Sequence, residues 1–427
     1  MAIKDTILFV NYAPVEALAA LKRYSNKNRV RYRIAVIRDL KYKPTSDSAT
    51  DNHVDVLVVG DFNHPIKMAQ ALAPLQDRLL AVTCRGEAYI PDFAKIIPNV
   101  PYLRTPTVAS LIWASDKVMM RQRLRMYDKT ITPRFLLAGD SRAATLEKIK
   151  TKIGFPLILK PASLAASLMV SICFHEEELA ATLRRMLTKL RRVYRDNGRR
   201  LEPKILVEQF MEGDMYSFDA YVTSRGTIHF CPPVQIKTGR TIGFDDFFGY
   251  SQMTPTLLSQ ASIKQAETVA RKSVYALGLR STTVHIELMK MERGWKVIEL
   301  GARIGGFRHR LYQLAYGFDH TLNDILIRIP QKPNIPKRTK GYSVAMKFFA
   351  KTEGALTKLK GVKRAQQLSS FVEIKVNKKI GDKCLYAKHG GRSIFNIILF
   401  NKKRSNLLAD IRRLEKMVVI ETKNGRQ

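Results

Sequence analysis

Two apolar runs joined by a short turn constrain the fold of this chain more than any other feature. The runs are TVHIELMK (Thr283–Lys290) and WKVIELGA (Trp295–Ala302), and the turn sequence between them is MERG. Runs of this kind favour strands, so together with the turn they predict an antiparallel hairpin. A turn centred on Arg293 places Glu287 opposite Glu299, because each glutamate is six residues from that centre.

The opposed glutamates predict a metal site. Directly opposed residues point to the same face of a sheet, where like charges repel each other. A divalent cation would remove this repulsion, and carboxylate oxygens suit Mg²⁺, usually together with substrate phosphates. Four apolar neighbours are expected to pack behind the pair: Ile286, Leu288, Ile298 and Leu300. The alternative is an amphipathic hairpin with both glutamates in solvent.

The charge of the chain restricts its partners. The 427 residues carry a formal net charge of +36. Residues 331–427 hold 24 Lys+Arg against 6 Asp+Glu, a net of +18. Such a surface binds polyanions at low salt. Because no nucleic-acid-binding motif accompanies it, a solvated basic face is the preferred interpretation and specific polyanion binding is the alternative.

The sequence also bears on the compartment. No apolar stretch approaches the length of a membrane span, and the N-terminus lacks the pattern of a signal peptide. The four cysteines are far apart and form no CxxC pair, which is typical of reduced thiols rather than a disulfide framework or a zinc site. These features predict a cytoplasmic protein with no membrane partner.

Changes in the pattern of apolar residues and in proline content along the chain indicate several domains. Within residues 1–107, short apolar runs alternate with helical stretches, which predicts a parallel α/β sheet. The proline- and threonine-rich PNVPYLRTPT ends this part, and a second proline-rich stretch, IPQKPNIPK, lies near residue 330. The expected fold class is α/β and α+β, with domains at 1–107, 108–330 and a basic, β-rich 331–427.

Further motifs precede and follow the hairpin. GFPLILKPA places Lys160 in an apolar strand, where it either reaches outward to solvent or contacts phosphate. ILVEQFMEGD carries Glu208 after three apolar residues, and GARIGG places Arg303 before paired glycines that allow close backbone approach.

In this order the motifs resemble the ATP-grasp superfamily. The subgroup of carboxylate–amine ligases, which includes proteins similar to biotin carboxylase and the amino-acid ligases, matches best. The resemblance covers nearly the whole chain. It implies a preATP-grasp α/β domain at 1–107, a two-lobed ATP-grasp core at 108–330 and a C-terminal β-rich domain at 331–427. It also implies amide formation through an acyl phosphate, with release of ADP and phosphate.

The resemblance implies roles for individual residues. Lys117 and Lys160 match lysines that contact ATP phosphates, and Glu287 and Glu299 match the ligands of Mg²⁺, with Mn²⁺ as an alternative. Arg303 matches the arginine near the transferred phosphate, so Arg303 and Lys160 are the expected catalytic residues. The segment expected to hold adenine consists of Glu208, Gln209, Phe210 and Met211.

Two departures from the family pattern affect nucleotide binding. The loop after Lys160 has no glycine, so Ser163 and Ser167 are expected to contact phosphate in place of bare amides. Met215 stands where an acidic residue often binds the ribose, and Asp214 or Glu212 is the expected substitute. These departures support an alternative function, nucleotide binding without catalysis.

The substrate site is less constrained. The partners implied are a small carboxylate and a small amine, and a homodimer is common among similar proteins. Arg240, in KTGRTIGFDDFFGY, either pairs with a substrate carboxylate or belongs to an ordinary mobile loop. Gly305 and Gly306 are expected to stabilise an oxyanion. His309 either faces the substrate or is a structural polar residue.

Overall fold

A four-stranded parallel sheet forms the N-terminal part of the protein. The computed structural model describes residues 4–42, 53–162, 168–196, 204–329 and 331–423. The first elements are β1 (Thr6–Val10), α1 (Val15–Asn28), β2 (Arg33–Asp39), β3 (Val56–Gly60), α2 (Pro65–Leu72), β4 (Leu79–Thr83) and α3 (Ile90–Ile96). The strand order is β3-β2-β1-β4 and all pairs are parallel, which confirms the α/β prediction.

A smaller antiparallel sheet follows two connecting helices. The elements are α4 (Val108–Ser115), α5 (Lys117–Tyr127), β5 (Phe135–Ala138), α6 (Ala143–Lys152), β6 (Leu157–Pro161), β7 (Ser171–Cys173), α7 (Glu176–Asp196) and β8 (Ile205–Gln209). The strand order is β5-β8-β6-β7. Apolar residues of α6 and α7, such as Ile149 and Leu183, bury one face of this sheet.

A larger antiparallel sheet is built around the predicted hairpin. Its first elements are β9 (Asp214–Val222), β10 (Ile228–Phe230), β11 (Val234–Thr238), β12 (Gly249–Thr254), α8 (Gln260–Ala276), β13 (Thr282–Lys290), β14 (Trp295–Gly301), α9 (Arg308–Ala315) and α10 (His320–Leu326). The hairpin consists of β13 and β14, and β9 pairs with the other edge of β13.

The C-terminal segment continues the same sheet. It contains β15 (Tyr342–Phe348), β16 (Gly354–Lys360), α11 (Val362–Ala365), β17 (Phe371–Val376), β18 (Lys383–Cys384), β19 (Phe395–Asn401), α12 (Arg404–Met417) and β20 (Val419–Lys423). The large sheet has the order β14-β13-β9-β11-β12-β15-β19-β17, with β10 beside β9. Because β12 pairs with β15, this sheet spans the predicted boundary near residue 330, and the division there stays a prediction.

Three short strands of the C-terminal segment had not been predicted. β16, β18 and β20 form a separate small sheet in the order β18-β16-β20. Among the helices in the described part of the chain, none is both long and apolar enough to cross a membrane. All four cysteines are free and buried.

Candidate active site

A cavity of about 760 Å³ lies between the smaller antiparallel sheet and the large sheet. Strands β6 and β8 form one wall, and β9, β11, β13 and β14 form the other. The structure brings together at this cavity the predicted residues Lys117, Lys160, Glu208, Gln209, Phe210, Met211, Asp214, Arg240, Glu287 and Glu299. Its volume is within the range of small-molecule and cofactor sites.

The two glutamates of the hairpin are opposed as predicted. Glu287 pairs directly with Glu299, and both line the cavity. A β-bulge follows, so Leu288 pairs with Val297 and Ile298 has no opposite partner in the hairpin. The expectation that Ile298 packs behind the glutamates was wrong, because the extra residue of the bulge turns its side chain to the cavity wall. The other three apolar neighbours are buried as expected.

Two cationic side chains contact the glutamate pair. Lys117 Nζ is 3.1 Å from Glu299 Oε1, and His285 Nε2 is 3.3 Å from Glu287 Oε1. Burial raises the pKa of Glu287, but the hydrogen bond and charge of His285 outweigh it, so that pKa is lowered overall. Burial lowers the pKa of Lys117, but the carboxylates of Glu299, Glu87 and Glu208 together outweigh it, so that pKa is raised. Lys117 and His285 are therefore the protein's own partners of the two carboxylates.

Lys117 is positioned by the start of helix α5. It is the first helical residue, and the preceding Asp116 accepts hydrogen bonds from two backbone N–H groups of the first turn. Such caps stabilise a helix start. The cap therefore fixes the point from which Lys117 reaches Glu299.

Glu208 lies between two cations and is only 3% exposed. Arg121 Nε donates to Glu208 Oε1 at 2.6 Å, and Lys160 Nζ is 2.8 Å from Oε2. Burial raises the pKa of Glu208, but Arg121 and Lys160 outweigh it and lower that pKa to about 2. Burial lowers the pKa of Lys160 despite the neighbouring carboxylate. Glu208 therefore acts as the counter-ion of Lys160 at the cavity wall.

Arg303 contacts a residue that follows the last strand of the N-terminal sheet. It forms a salt bridge with Glu87, in which Arg303 Nε donates to Glu87 Oε2 at 2.8 Å. Arg303 Nη1 also donates to the carbonyl of Ile304 at 3.0 Å. Glu87 follows the carboxyl end of β4, the edge of a parallel sheet where ligands usually bind. The salt bridge therefore connects the end of the glutamate hairpin to that edge.

Sequence reasoning missed two of these residues, Arg121 and Glu87. Arg121 is three residues from Val118 and three from Leu124, and all three positions are buried on one face of α5. A cation inside such an apolar stripe is a signal for a buried counter-ion. For Glu87, the signal is its position four residues after the carboxyl end of β4, a buried strand of the parallel sheet.

Asp219 on β9 is fully buried and accepts several hydrogen bonds. His285 Nδ1, His320 Nε2 and the Gly305 amide nitrogen are 2.6, 2.8 and 2.9 Å from its oxygens. Arg308 Nε is 3.8 Å from Oδ1. Burial raises the pKa of Asp219, but the histidines outweigh it and hold that pKa well below its usual value. An added Cβ at Gly305 would collide with the His285 ring, so this close approach requires glycine.

Comparison with known proteins identifies the domain that contributes most of the residues of the cavity wall. Residues 153–310 match the ATP-grasp domain family. The chain contains an ATP-grasp domain. The match confirms the resemblance inferred from the motifs, and it falls within residues 108–330, the predicted extent of the ATP-grasp core.

Similar curated proteins match this chain over only a part of their own length. The chain is 27% identical over 303 residues to Uncharacterized protein y4rH of Sinorhizobium fredii, covering 70% of this chain and 59% of that protein. It is 28% identical over 300 residues to alanine–anticapsin ligase of Bacillus subtilis, covering 65% and 60%. The chain thus spans about 60% of the length of these relatives.

A solved structure shows the same fold over the whole chain. The crystal structure of L-amino acid ligase from Bacillus licheniformis superposes with a TM-score of 0.78 and 17% sequence identity. The superposition covers 99% of this chain and 100% of that one. The likeness confirms the predicted multidomain α/β and α+β architecture.

The segment containing Arg240 forms part of the wall of the same cavity. Arg240 lines the wall, with Nη1 3.8 Å from Asp245 Oδ1. Its guanidinium carbon is 5.5 Å from the centre of the Phe247 ring. Lys237 and Thr238, at the end of β11, line the cavity as well. Of the two interpretations left open by the sequence, this placement favours a contribution to the pocket.

The remaining predicted residues have different positions. Met215 lines the cavity together with Glu212 and Asp214. Gly306 is exposed. His309 lines a separate cavity of about 140 Å³, which also includes residues of α1. Ser163 and Ser167 lie outside the residues that the structure describes.

We expect the stabilising contribution of Glu208 to be lost in acid. Its pKa is about 2 against an ordinary 4.5, so the contribution is complete above pH 4.5 and disappears as the pH falls through 2. One pKa unit corresponds to ~1.4 kcal/mol, which makes the contribution on the order of 3 kcal/mol. Urea unfolding of the wild type and Glu208→Gln should show a difference in unfolding free energy that shrinks between pH 7 and pH 3.5.

The control for this prediction is Glu212→Gln, at an exposed carboxylate of the same cavity. Its unfolding free energy should follow that of the wild type at both pH values. A difference between the wild type and Glu208→Gln that does not change with pH would contradict the prediction.

Proposed function

We propose that the protein is an ATP-dependent carboxylate–amine ligase, which forms an amide through an acyl phosphate and releases ADP and phosphate. The observation that carries this proposal is the opposed pair Glu287 and Glu299 on the cavity wall, with Lys117 against it. An anion-binding lysine beside two metal-binding carboxylates is the combination that phosphoryl transfer needs.

The lining of the cavity suits a nucleotide. Apolar side chains that would contact the base include Ile158, Leu168, Phe174, Met211 and Met289. The amides of Gln209 and Phe210 already donate to the carbonyls of Arg134 and Pro156. We therefore assign contact with the base to Met211. Asp214 and Glu212 supply carboxylates for the ribose beside Met215.

The residues present also fit Mg²⁺, with Mn²⁺ as an alternative. Among the described residues, no group of three or more His, Cys, Asp or Glu is arranged to hold a metal. Two carboxylates without a further protein ligand are typical of magnesium that is shared with substrate phosphates. When bound at Glu287 and Glu299, the metal would neutralise charge on the transferred phosphoryl group.

The side chains of the site can assist both chemical steps. Lys117 and Lys160 would screen the triphosphate, so that a carboxylate oxygen attacks the γ-phosphorus as the bond to ADP breaks. The amine then attacks the acyl carbon, phosphate leaves and the nitrogen loses a proton. Arg303 would stabilise the oxyanion together with the amide of Gly306. The amide of Gly305 is excluded from this role because it donates to Asp219.

Amino acids are the proposed substrates. The names of two similar proteins, alanine–anticapsin ligase and L-amino acid ligase, refer to amino-acid substrates. Arg240 at the cavity wall offers a cation for a substrate carboxylate. A cytoplasmic location, a homodimer and binding of polyanions by the basic segment 331–427 stay predictions from the sequence.

Nucleotide binding without catalysis is the second candidate function. Met215 favours it, because this side chain lines the cavity where an acidic residue often binds the ribose. That function predicts affinity for ATP without turnover. The opposed Glu287 and Glu299 on the cavity wall, which binding of the base does not require, favour the ligase instead.

ADP release tests the proposed function. Purified protein with Mg-ATP and L-alanine is assayed with each of the common L-amino acids as the second substrate. We expect ADP release that requires both Mg²⁺ and a carboxylate. With hydroxylamine in place of the amine, the acyl phosphate should be trapped as a hydroxamate. ATP hydrolysis that is independent of carboxylate would contradict the proposal, and ATP binding without turnover would support the second candidate.

A further inference from the structure

Lys347 on β15 is a half-buried cation without a carboxylate partner. Among the residues that the structure describes, none forms an ion pair with its ammonium group or accepts a hydrogen bond from it. The contact made by Lys347 Nζ is with the ring of Phe307, whose centre is 5.5 Å away. Withdrawing a lysine from water without pairing it is costly, so an anion that binds there is favoured.

The position of Lys347 connects it to the reaction centre. Side chains alternate along β15, so Lys347 shares a face with Ser343, whose hydroxyl donates to the Leu311 carbonyl of α9. Phe307 immediately precedes α9 and has a φ of 60°, a left-handed conformation that is unfavourable for a bulky residue. This turn directly follows Gly306, the residue assigned to the oxyanion. Lys347 is therefore next to the segment that follows the glutamate hairpin.

The charges around Lys347 leave a positive excess. Burial lowers the pKa of Lys347, and the charge of Arg308 lowers it further, while the carboxylate of Glu287 opposes both. Glu287 already has a hydrogen bond with His285, and Arg308 carries a positive charge of its own. Neither neighbour therefore supplies a counter-ion for Lys347, and a ligand anion would.

The anion is not the triphosphate of ATP. Lys117 and Lys160 line the nucleotide cavity, whereas Lys347 is not among its lining residues. Nor is it the reacting carboxylate, which must reach the γ-phosphate near Glu287 and Glu299. The remaining source is a carboxylate that the reaction does not consume.

We propose that Lys347 binds the carboxylate of the amine substrate, which makes that substrate an amino acid or a peptide. The inference rests on the proposed ligase function. It assigns specificity for the acceptor to a residue of the C-terminal segment, outside residues 153–310 that match the ATP-grasp family. A second carboxylate on the acyl donor has the same chemistry, and the experiment separates the two sources.

The test compares each active acceptor amino acid with its carboxamide, which lacks the negative charge. L-Alanine is the acyl donor, and kcat and KM are measured for the wild type, Lys347→Met and Lys347→Arg. Lys347→Met should raise the KM for the free acid by about 10- to 100-fold, as expected for loss of a hydrogen bond between charged groups. The KM for the carboxamide should change less than about threefold, and Lys347→Arg should restore most of the preference for the acid.

Controls separate a binding role from a structural one. Lys360→Met removes an exposed lysine at the end of β16 and should leave both substrates unaffected. Thermal unfolding and the hydroxamate assay report on folding and acyl phosphate formation in each variant. If Lys347→Met is unfolded, Lys347→Gln replaces it, because a polar amide is better tolerated beside solvent.

Several outcomes would overturn the inference. They are equal losses for acid and carboxamide, an unchanged KM for the acid, or a rise in KM confined to the acyl donor. A wild type that shows ADP release and no preference for the acid would overturn it as well, with the ligase function intact. A wild type without ADP release that depends on a carboxylate would instead refute the proposed function, and the inference with it.

Discussion

Glu299→Gln is expected to lower kcat for ADP release by about 100- to 1,000-fold, the usual loss when a group that stabilises a transition state is removed. Glu299 faces Glu287 across the hairpin and carries one of the two negative charges there. Glutamine has nearly the same shape but is neutral, so the site would hold a divalent cation poorly. Lys117 would lose its partner at 3.1 Å. Steady-state ADP release at saturating ATP measures the effect.

The matched control for Glu299→Gln is Glu292→Gln in the turn of the same hairpin. Glu292 is exposed and lies away from the cavity, so this variant should retain the activity of the wild type. A Glu299→Gln variant that keeps more than about one tenth of wild-type kcat would contradict the assignment of the glutamate pair to catalysis.

Asp219→Ala is expected to be the most destabilising substitution at the site. Asp219 is fully buried, and its carboxylate is the common partner of His285, His320 and the Gly305 amide. Removal of one member of a buried charged network leaves the other charges uncompensated, which costs about 3–5 kcal/mol. Urea and thermal unfolding followed by circular dichroism should show a large decrease in stability.

Two further variants serve as comparisons for Asp219→Ala. Asp219→Asn keeps one acceptor oxygen and should destabilise the protein less than Asp219→Ala. Asp77→Ala, at an exposed aspartate, should unfold like the wild type. Equal stability of Asp219→Ala and Asp77→Ala would show that the network around Asp219 does not support the fold.

The glutamate pair was predictable because its geometry is local. The turn is short and side chains alternate along a strand, so the prediction needed only the position of the turn. The pairs next to the turn, such as Lys290 with Trp295, follow a register that would place Glu287 opposite Ile298, and the bulge shifts it by one residue so that Glu287 pairs with Glu299. The bulge also explains the error at Ile298, which is the extra residue, because neither Ile298 nor its neighbours Val297 and Glu299 is a glycine or proline that would mark a bulge. Local rules therefore predicted the pair but not every neighbour.

The order of the motifs also predicted the family and the broad architecture. Apolar periodicity separated the parallel sheet from the later antiparallel strands, because buried strands and amphipathic helices have different periods. The strands β16, β18 and β20 were not predicted from periodicity. Strand β16, GALTKLK, has one fully buried residue, Leu356, and no regular alternation of apolar and polar residues, so its pattern does not indicate a half-buried strand.

By itself the sequence determined the family, the sheet classes and the two carboxylates of the hairpin, because these depend on residues close together in the chain. The tertiary structure decided which distant residues meet. Arg121 and Glu208 are 87 positions apart, and Arg303 and Glu87 are 216 apart. The role proposed for Lys347 depends on β15 joining the large sheet beside β12. Such pairs depend on how helices and sheets pack, and neither periodicity nor turn chemistry contains that information.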